Sequence, residues 1–126
     1  MSFDWGEYER LAKDLRNNGD EASQRTAISR LYYSIYHQAL HALEKNDSTF
    51  LYSKDKPAHQ QVWDAYLKSR TLSSIGNKGK QLRYNREKAD YHPQIIKLDQ
   101  VLEESFRTAE YILQWLNKIA SDESHQ

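Results

Sequence analysis

The chain has 126 residues, and 18 Lys and Arg are balanced by 18 Asp and Glu to a formal charge of zero. That length suits one small domain and is too short for a large two-domain enzyme. With no cysteine, disulfide frameworks, thiolate-bound zinc, iron–sulfur clusters and thiol nucleophiles are all excluded.

The mean hydropathy of −0.96 is low enough to raise the question of disorder. Three Trp, nine Tyr and three Phe answer it, because each ring buries on the order of 150–250 Å² and a core can be built from few of them. Four Gly and two Pro supply too few tight turns for a sandwich or barrel, so the expected class is all-α. No apolar run approaches the roughly 18 residues of a membrane span. The opening Met1-Ser-Phe-Asp-Trp-Gly-Glu has no signal-peptide character, and the expected compartment is the cytoplasm.

Trp5, Tyr8, Leu11, Ala12 and Leu15 recur at helical spacing, and Asn17-Asn18-Gly19 stops that first helix. Asp20 is placed to cap a long second helix to about Lys45, with an inward stripe of Ile28, Leu31, Tyr32, Ile35, Ala39 and Leu43. Asn46 to Pro57 has no period and reads as a mobile loop, with Pro57 suited to a helix start. Val62, Trp63, Tyr66 and Leu67 form the apolar face of a third helix that fades near Arg70. Ser73, Ser74, Gly76 and Gly79 weaken the fourth, yet Ile75, Leu82, Arg86 and Ala89 share one side of it. It should end at Tyr91-His92, because Pro93 pushes the residue before it out of helical geometry. The last stripe runs from Leu98 through Phe106 and Ile112 to Ile119, which predicts a helix from about Gln94 to Ala120. The expectation is a single bundle of about five helices over residues 1–121, two of them long, with a disordered tail at 122–126.

The zero charge is a sum of unlike parts: residues 1–53 carry −2, residues 54–92 carry +5 and residues 93–126 carry −3. Between Lys68 and Lys88 seven basic residues face only Glu87, a local field that favours an anionic partner or simply marks a solvated face. Phosphate-loop, HExxH and GxSxG signatures are missing. His37 and His41 have an i, i+4 spacing that could hold a metal, but hydrogen-bonded or surface histidines are the usual outcome, and no metal site is expected. Arg30, Tyr33, His37 and His41 make a second, polar stripe on helix 2. It reads either as a helix or subunit contact or as the wall of an anion site, with Arg25 extending its charge. Arg86 and Asp90 are spaced to pair on the helix surface.

Arg25-Thr-Ala-Ile-Ser-Arg30-Leu-Tyr-Tyr33-Ser-Ile-Tyr-His37 resembles the first long helix of HEPN domains, the higher eukaryotes and prokaryotes nucleotide-binding family. Leu82-Arg83-Tyr-Asn-Arg86-Glu-Lys-Ala-Asp90-Tyr91-His92-Pro resembles the family's second motif. The resemblance implies an all-α bundle that dimerises, with motifs from both copies lining a cleft. Many members carry an Arg, four to six residues and a His as a metal-independent endoribonuclease motif, and five residues separate Arg86 from His92. What it implies here is RNA cleavage by attack of the ribose 2′-OH, with Arg86 and His92 catalytic, no metal and no cofactor. Substrate would be held by Arg30, Tyr33, His37, Lys80, Arg83 and Asp90. Implied partners are RNA or a nucleotide, a second copy, and an antitoxin or nucleotidyltransferase. The alternative is a non-catalytic member that binds a nucleotide, RNA or a partner protein.

Overall fold

The computed structural model describes residues 2–47 and 50–124. In chain order it contains α1 (Gly6–Arg16), α2 (Glu21–Asn46), α3 (Ala58–Leu67), α4 (Ser73–Tyr91) and α5 (Leu98–Ser124), and no strand among the described residues. The described residues therefore form an all-α bundle of five helices, two of them long.

Local chemistry sets most of the boundaries. Gly19 takes a left-handed φ of 80°, which lets the chain reverse between α1 and α2. One residue later the Asp20 carboxylate accepts from the Ser23 N–H at 2.8 Å, so a donor left over at the start of α2 is satisfied. Its two acceptor bonds from Ser23 also hold the Asp20 carboxyl below its ordinary value. Pro57 stands just outside α3, with extended ψ, rather than within its first turn. The preceding loop is pinned by Gln61, whose side chain accepts from Ser53 N at 2.7 Å and donates to Ser53 O at 2.6 Å. Ser48 and Thr49 of that loop lie outside the described residues.

At the far end of α4, His92 adopts extended geometry (φ −83°, ψ 125°), as a residue before proline must. The next helix begins at Leu98, not Gln94, because Lys97 sits at φ 56° and a helix cannot pass through that conformation. The Lys97 carbonyl instead receives the first N–H groups of α5, from Gln100 and Val101. α5 also extends to Ser124, so residues 122–124 of the expected tail are helical, while His125 and Gln126 lie outside the described residues.

α2 is the central rod and packs against all four other helices, which explains why nine of its residues are buried and its apolar stripe is broad. Ile28, Leu31, Tyr32, Ile35 and Ala39 line one continuous core with Trp63, Ile75, Leu82 and Ile112. Full burial of each large aliphatic or aromatic side chain contributes about 1.5–3 kcal/mol. Two of the buried polar groups pair across helices: Asn85 donates to Ser105 at 3.1 Å across α4 and α5, and Tyr66 donates to the Ala39 carbonyl at 2.8 Å. Tyr66 loses its proton well above the usual phenol range because its hydroxyl is buried.

The glycines of α4 do more than weaken it. A Cβ at Gly76 would come within 2.6 Å of the Trp63 carbonyl and 2.8 Å of the Leu67 N, and one at Gly79 would fall into the six-membered ring of Trp63. They are the sites where α3 and α4 touch. Gly to Ala inside an exposed helix gains about 1 kcal/mol from propensity, but here overpacking, typically about 1–3 kcal/mol, outweighs it because the indole is fully buried and cannot retreat. Gly79→Ala is expected to lower stability by about 2 kcal/mol in urea denaturation, in contrast to the gain normal for such a substitution.

Candidate functional site

The α4 motif presents Lys80, Arg83, Glu87 and Asp90 along one side, with Arg86 turned inward from the same turns. Lys80 is engaged: its Nζ is 2.7 Å from Asp64 on α3. That contact and the associated hydrogen bonding hold the Asp64 carboxyl below its ordinary value. The two guanidiniums are held more loosely. Arg83 Nε lies 3.3 Å from Glu87, Arg86 lies 4.0 Å from Glu87, and Arg86 Nη1 donates to Asp90 at 3.4 Å. Charge-assisted bonds of full strength run about 2.7–2.9 Å, so these carboxylates position the arginines without using up their donors. Both Nε atoms are buried and lack a hydrogen-bond partner. Such orphan donors are uncommon in folded proteins and call for an explanation.

Arg86 is 7% exposed and lies among tyrosine rings. Its guanidinium carbon is 5.6 Å from the Tyr32 ring centre, 5.5 Å from Tyr33 and 5.8 Å from Tyr91. These faces offset part of the cost of burying the charge. Burial works against the charged form, and the Tyr33 and Asp90 contacts outweigh it, so the guanidinium stays protonated. Asp90 is in turn fixed by the Ser29 hydroxyl, which donates to it at 3.2 Å. Beside Arg83, a cleft of about 270 Å³ opens between α3 and α4, lined by Gln60, Trp63, Lys80, Tyr84 and Glu87.

His59, which has no distinguishing sequence context, joins this cluster. The Trp63 indole donates to the Tyr32 hydroxyl at 3.0 Å, and that hydroxyl lies 2.7 Å from His59 Nδ1. Indole N–H can only donate, so the Tyr32 oxygen accepts from Trp63 and its own proton is available to the imidazole. The His59 ring stacks on Tyr36 at 4.3 Å and meets the edge of Tyr33 at 5.9 Å. Burial, helped by the nearby Arg83 and Arg86 charges, lowers its pKa to about 4, so it is neutral at pH 7. Burial likewise raises Tyr32, and pushes Tyr36 up to about 12, so both hydroxyls keep their protons.

The other candidate residues lie elsewhere. His37 stacks on Trp5 of the segment entering α1, with ring centres 3.5 Å apart, and its guanidinium-bearing neighbour Arg30 lies over Tyr8 at 5.0 Å. Their partners thus belong to the α1–α2 contact rather than to the arginines of α4, while Tyr33 does join Arg86. Arg25 is a structural clamp, not an open charge: Nη1 donates to the carbonyls of Ala89 (3.0 Å) and His92 (2.7 Å), and Nη2 to that of Pro93 (3.4 Å). It satisfies acceptors stranded at the end of α4. His92 itself is exposed, and its imidazole makes no hydrogen bond, ion pair or ring contact among the described residues, so the chain alone does not join it to Arg86. No group of three His, Asp or Glu among the described residues is placed to hold a metal ion, and no described helix is long and apolar enough to cross a membrane.

Comparison with protein-family models, with curated proteins and with solved structures found no match.

The depressed His59 pKa gives folding a pH dependence of definite sign. The unfolded chain takes up a proton at His59 near pH 6.5 and the folded chain only near pH 4, so stability declines as pH falls through that interval and the loss levels off below it. His37, lowered by burial, acts in the same direction. Solvent screening of the half-buried ring keeps the His59 share to about 1–2 kcal/mol. Urea titrations at pH 7 and pH 5 should show this loss, and His59→Asn should remove most of it.

Proposed function

We propose that this chain is a HEPN-type module that binds single-stranded RNA on the face formed by α4 and the start of α3, in the cytoplasm and as a dimer. The observation that carries the reading is the pair Arg83 and Arg86, two guanidiniums oriented by carboxylates that stand 3.3–4.0 Å away. Phosphate oxygens are the acceptors such groups fit best, because a planar fork of donors matches a tetrahedral anion in pairs. The exposed rings of Tyr84 and Tyr91, 53% and 73% accessible, flank the arginines on the same helix. Exposed aromatics beside basic groups are what unpaired bases stack on, at about 1–3 kcal/mol per base. Lys88 lies 4.8 Å over the Tyr84 ring and adds positive charge there.

A second reading, cleavage, is favoured by the clamp on the turn after α4. Arg25 fixes the backbone of His92 and leaves the imidazole uncommitted, the condition for a histidine that acts on a substrate held across a dimer seam. The 2′-oxygen would attack the adjacent phosphorus, the bond to the 5′-oxygen would break, and His92 would carry the proton between them while Arg86 stabilises the phosphoryl charge. Its products are a 2′,3′-cyclic phosphate and a 5′-hydroxyl.

Fluorescence anisotropy with a labelled single-stranded oligoribonucleotide tests binding. Affinity should fall with salt by about 0.7 log units per log unit of salt for each phosphate contacted. Arg86→Gln should weaken it about tenfold or more through loss of a charge-assisted contact. Absence of binding at low salt, or binding indifferent to Arg86→Gln, overturns the proposal. For cleavage, the same RNA incubated in chelator should yield cyclic phosphate ends, and His92→Ala should lower the rate about 10²–10⁴-fold with affinity unchanged. Intact RNA with the wild-type chain defeats the second reading and leaves the first.

A further inference from the structure

His59 is placed by the fold, not by any motif, in contact with the same tyrosines that hold Arg86. Its ring centre is 5.4 Å from that of Tyr32 and 5.9 Å from that of Tyr33, the two rings that Arg86 approaches within 5.6 Å. The hydrogen-bond chain from Trp63 through Tyr32 ends on its Nδ1, with the Tyr32 hydroxyl assigned as the donor there because it already accepts from Trp63. A neutral imidazole whose Nδ1 accepts must carry hydrogen on Nε2. That Nε2–H has no partner among the described residues and is not among the buried orphan donors. It is a donor left without an acceptor in the described chain, within the field of the Arg83 and Arg86 charges.

We propose that His59 is a ligand-binding residue of this site, donating its Nε2–H to a phosphate oxygen of the bound nucleic acid. The inference rests on the RNA-binding reading and names a contact that reading does not include. The two guanidiniums and the His59 Nε2–H select a ligand rich in acceptors. With its Nδ1 lone pair committed to Tyr32, His59 has no free site to take up a proton from substrate, so its role is recognition and orientation and not general-base catalysis. The Trp63–Tyr32 pair are positioning residues that act through it.

Two substitutions separate the two ends of the ring. In His59→Asn the amide oxygen can replace Nδ1 as the acceptor for Tyr32, but nothing reaches the position of Nε2. In His59→Gln the amide nitrogen can reach that position while the Tyr32 bond is lost. With the labelled oligoribonucleotide as probe, His59→Asn should bind about tenfold more weakly and melt near the wild-type temperature. His59→Gln should bind within about threefold of wild type and melt lower. Nitrogen-15 spectra of the wild-type imidazole should show hydrogen on Nε2 and a shift of that resonance as the RNA is added, a readout independent of how either variant folds. If His59→Asn binds as well as wild type while Arg86→Gln does not, His59 is no ligand contact and the RNA reading stands. Equal weakening in both variants, a proton on Nδ1, or an imidazole resonance unmoved by bound RNA overturns the inference equally. A wild-type chain that binds no RNA overturns both.

Discussion

The indole of Trp63 occupies the volume that a side chain at position 79 would need, and its Nε1–H ends on the Tyr32 hydroxyl. The first contact brings α3 against α4, and the second ties α3 to α2. Remove the close approach and α3 moves outward, taking His59 with it and opening the cleft beside Arg83. Trp63 is fully buried, and its position is fixed from both sides: glycine on one helix, a hydrogen bond to another. Close-packed interiors transmit such constraints because they have no free volume in which to absorb a displacement.

Charge neutrality takes on a local meaning in this arrangement. Each basic residue of the inner α4 face has an acidic neighbour, yet the pairs are unequal. Lys80 and Asp64 meet at 2.7 Å, whereas Arg83 and Arg86 stand 3.3–4.0 Å from their carboxylates. A tight pair is self-contained, and a loose one holds its partner with less of the strength of a charge-assisted bond. Glu87 and Asp90 keep the guanidiniums oriented where an unpaired charge would be costly to bury. The positive segment of the sequence is thus distributed among groups that are spent, groups that are loosely held, and surface lysines.

Much of the scaffold was legible in the amino-acid order because its determinants are local. The stripes of α1, α2 and α5 follow helical periodicity, Asp20 caps through a residue three positions away, and Pro93 marks the end of α4 through its own ring. The site was legible only in part. Arg86, Asp90 and Tyr33 were found from spacing and resemblance, and their contact is present. Arg30 and His37 share the helical phase of Tyr33, but Tyr8 and Trp5 claim both, and nothing in the phase of α2 identifies a neighbour on α1. His59 could not be read at all, since a lone histidine acquires a role here from Tyr32 and Trp63, 27 and 4 positions away on two helices. Gly76 and Gly79 were visible but misleading: propensity registers the cost to their own helix, and their value lies in the helix opposite.

Arg25 makes three bonds to carbonyls as many as 68 positions later in the chain. A turn is usually specified by the residues within it, through glycine, asparagine or a self-bonding side chain. The segment after α4 is instead specified from outside. Evolutionary constraint should accordingly shift to position 25, while the residues that build the turn are free to drift, provided Pro93 still halts the helix. Sequence changes around residues 94–96 can then alter what the end of α4 presents to a partner without altering where it points.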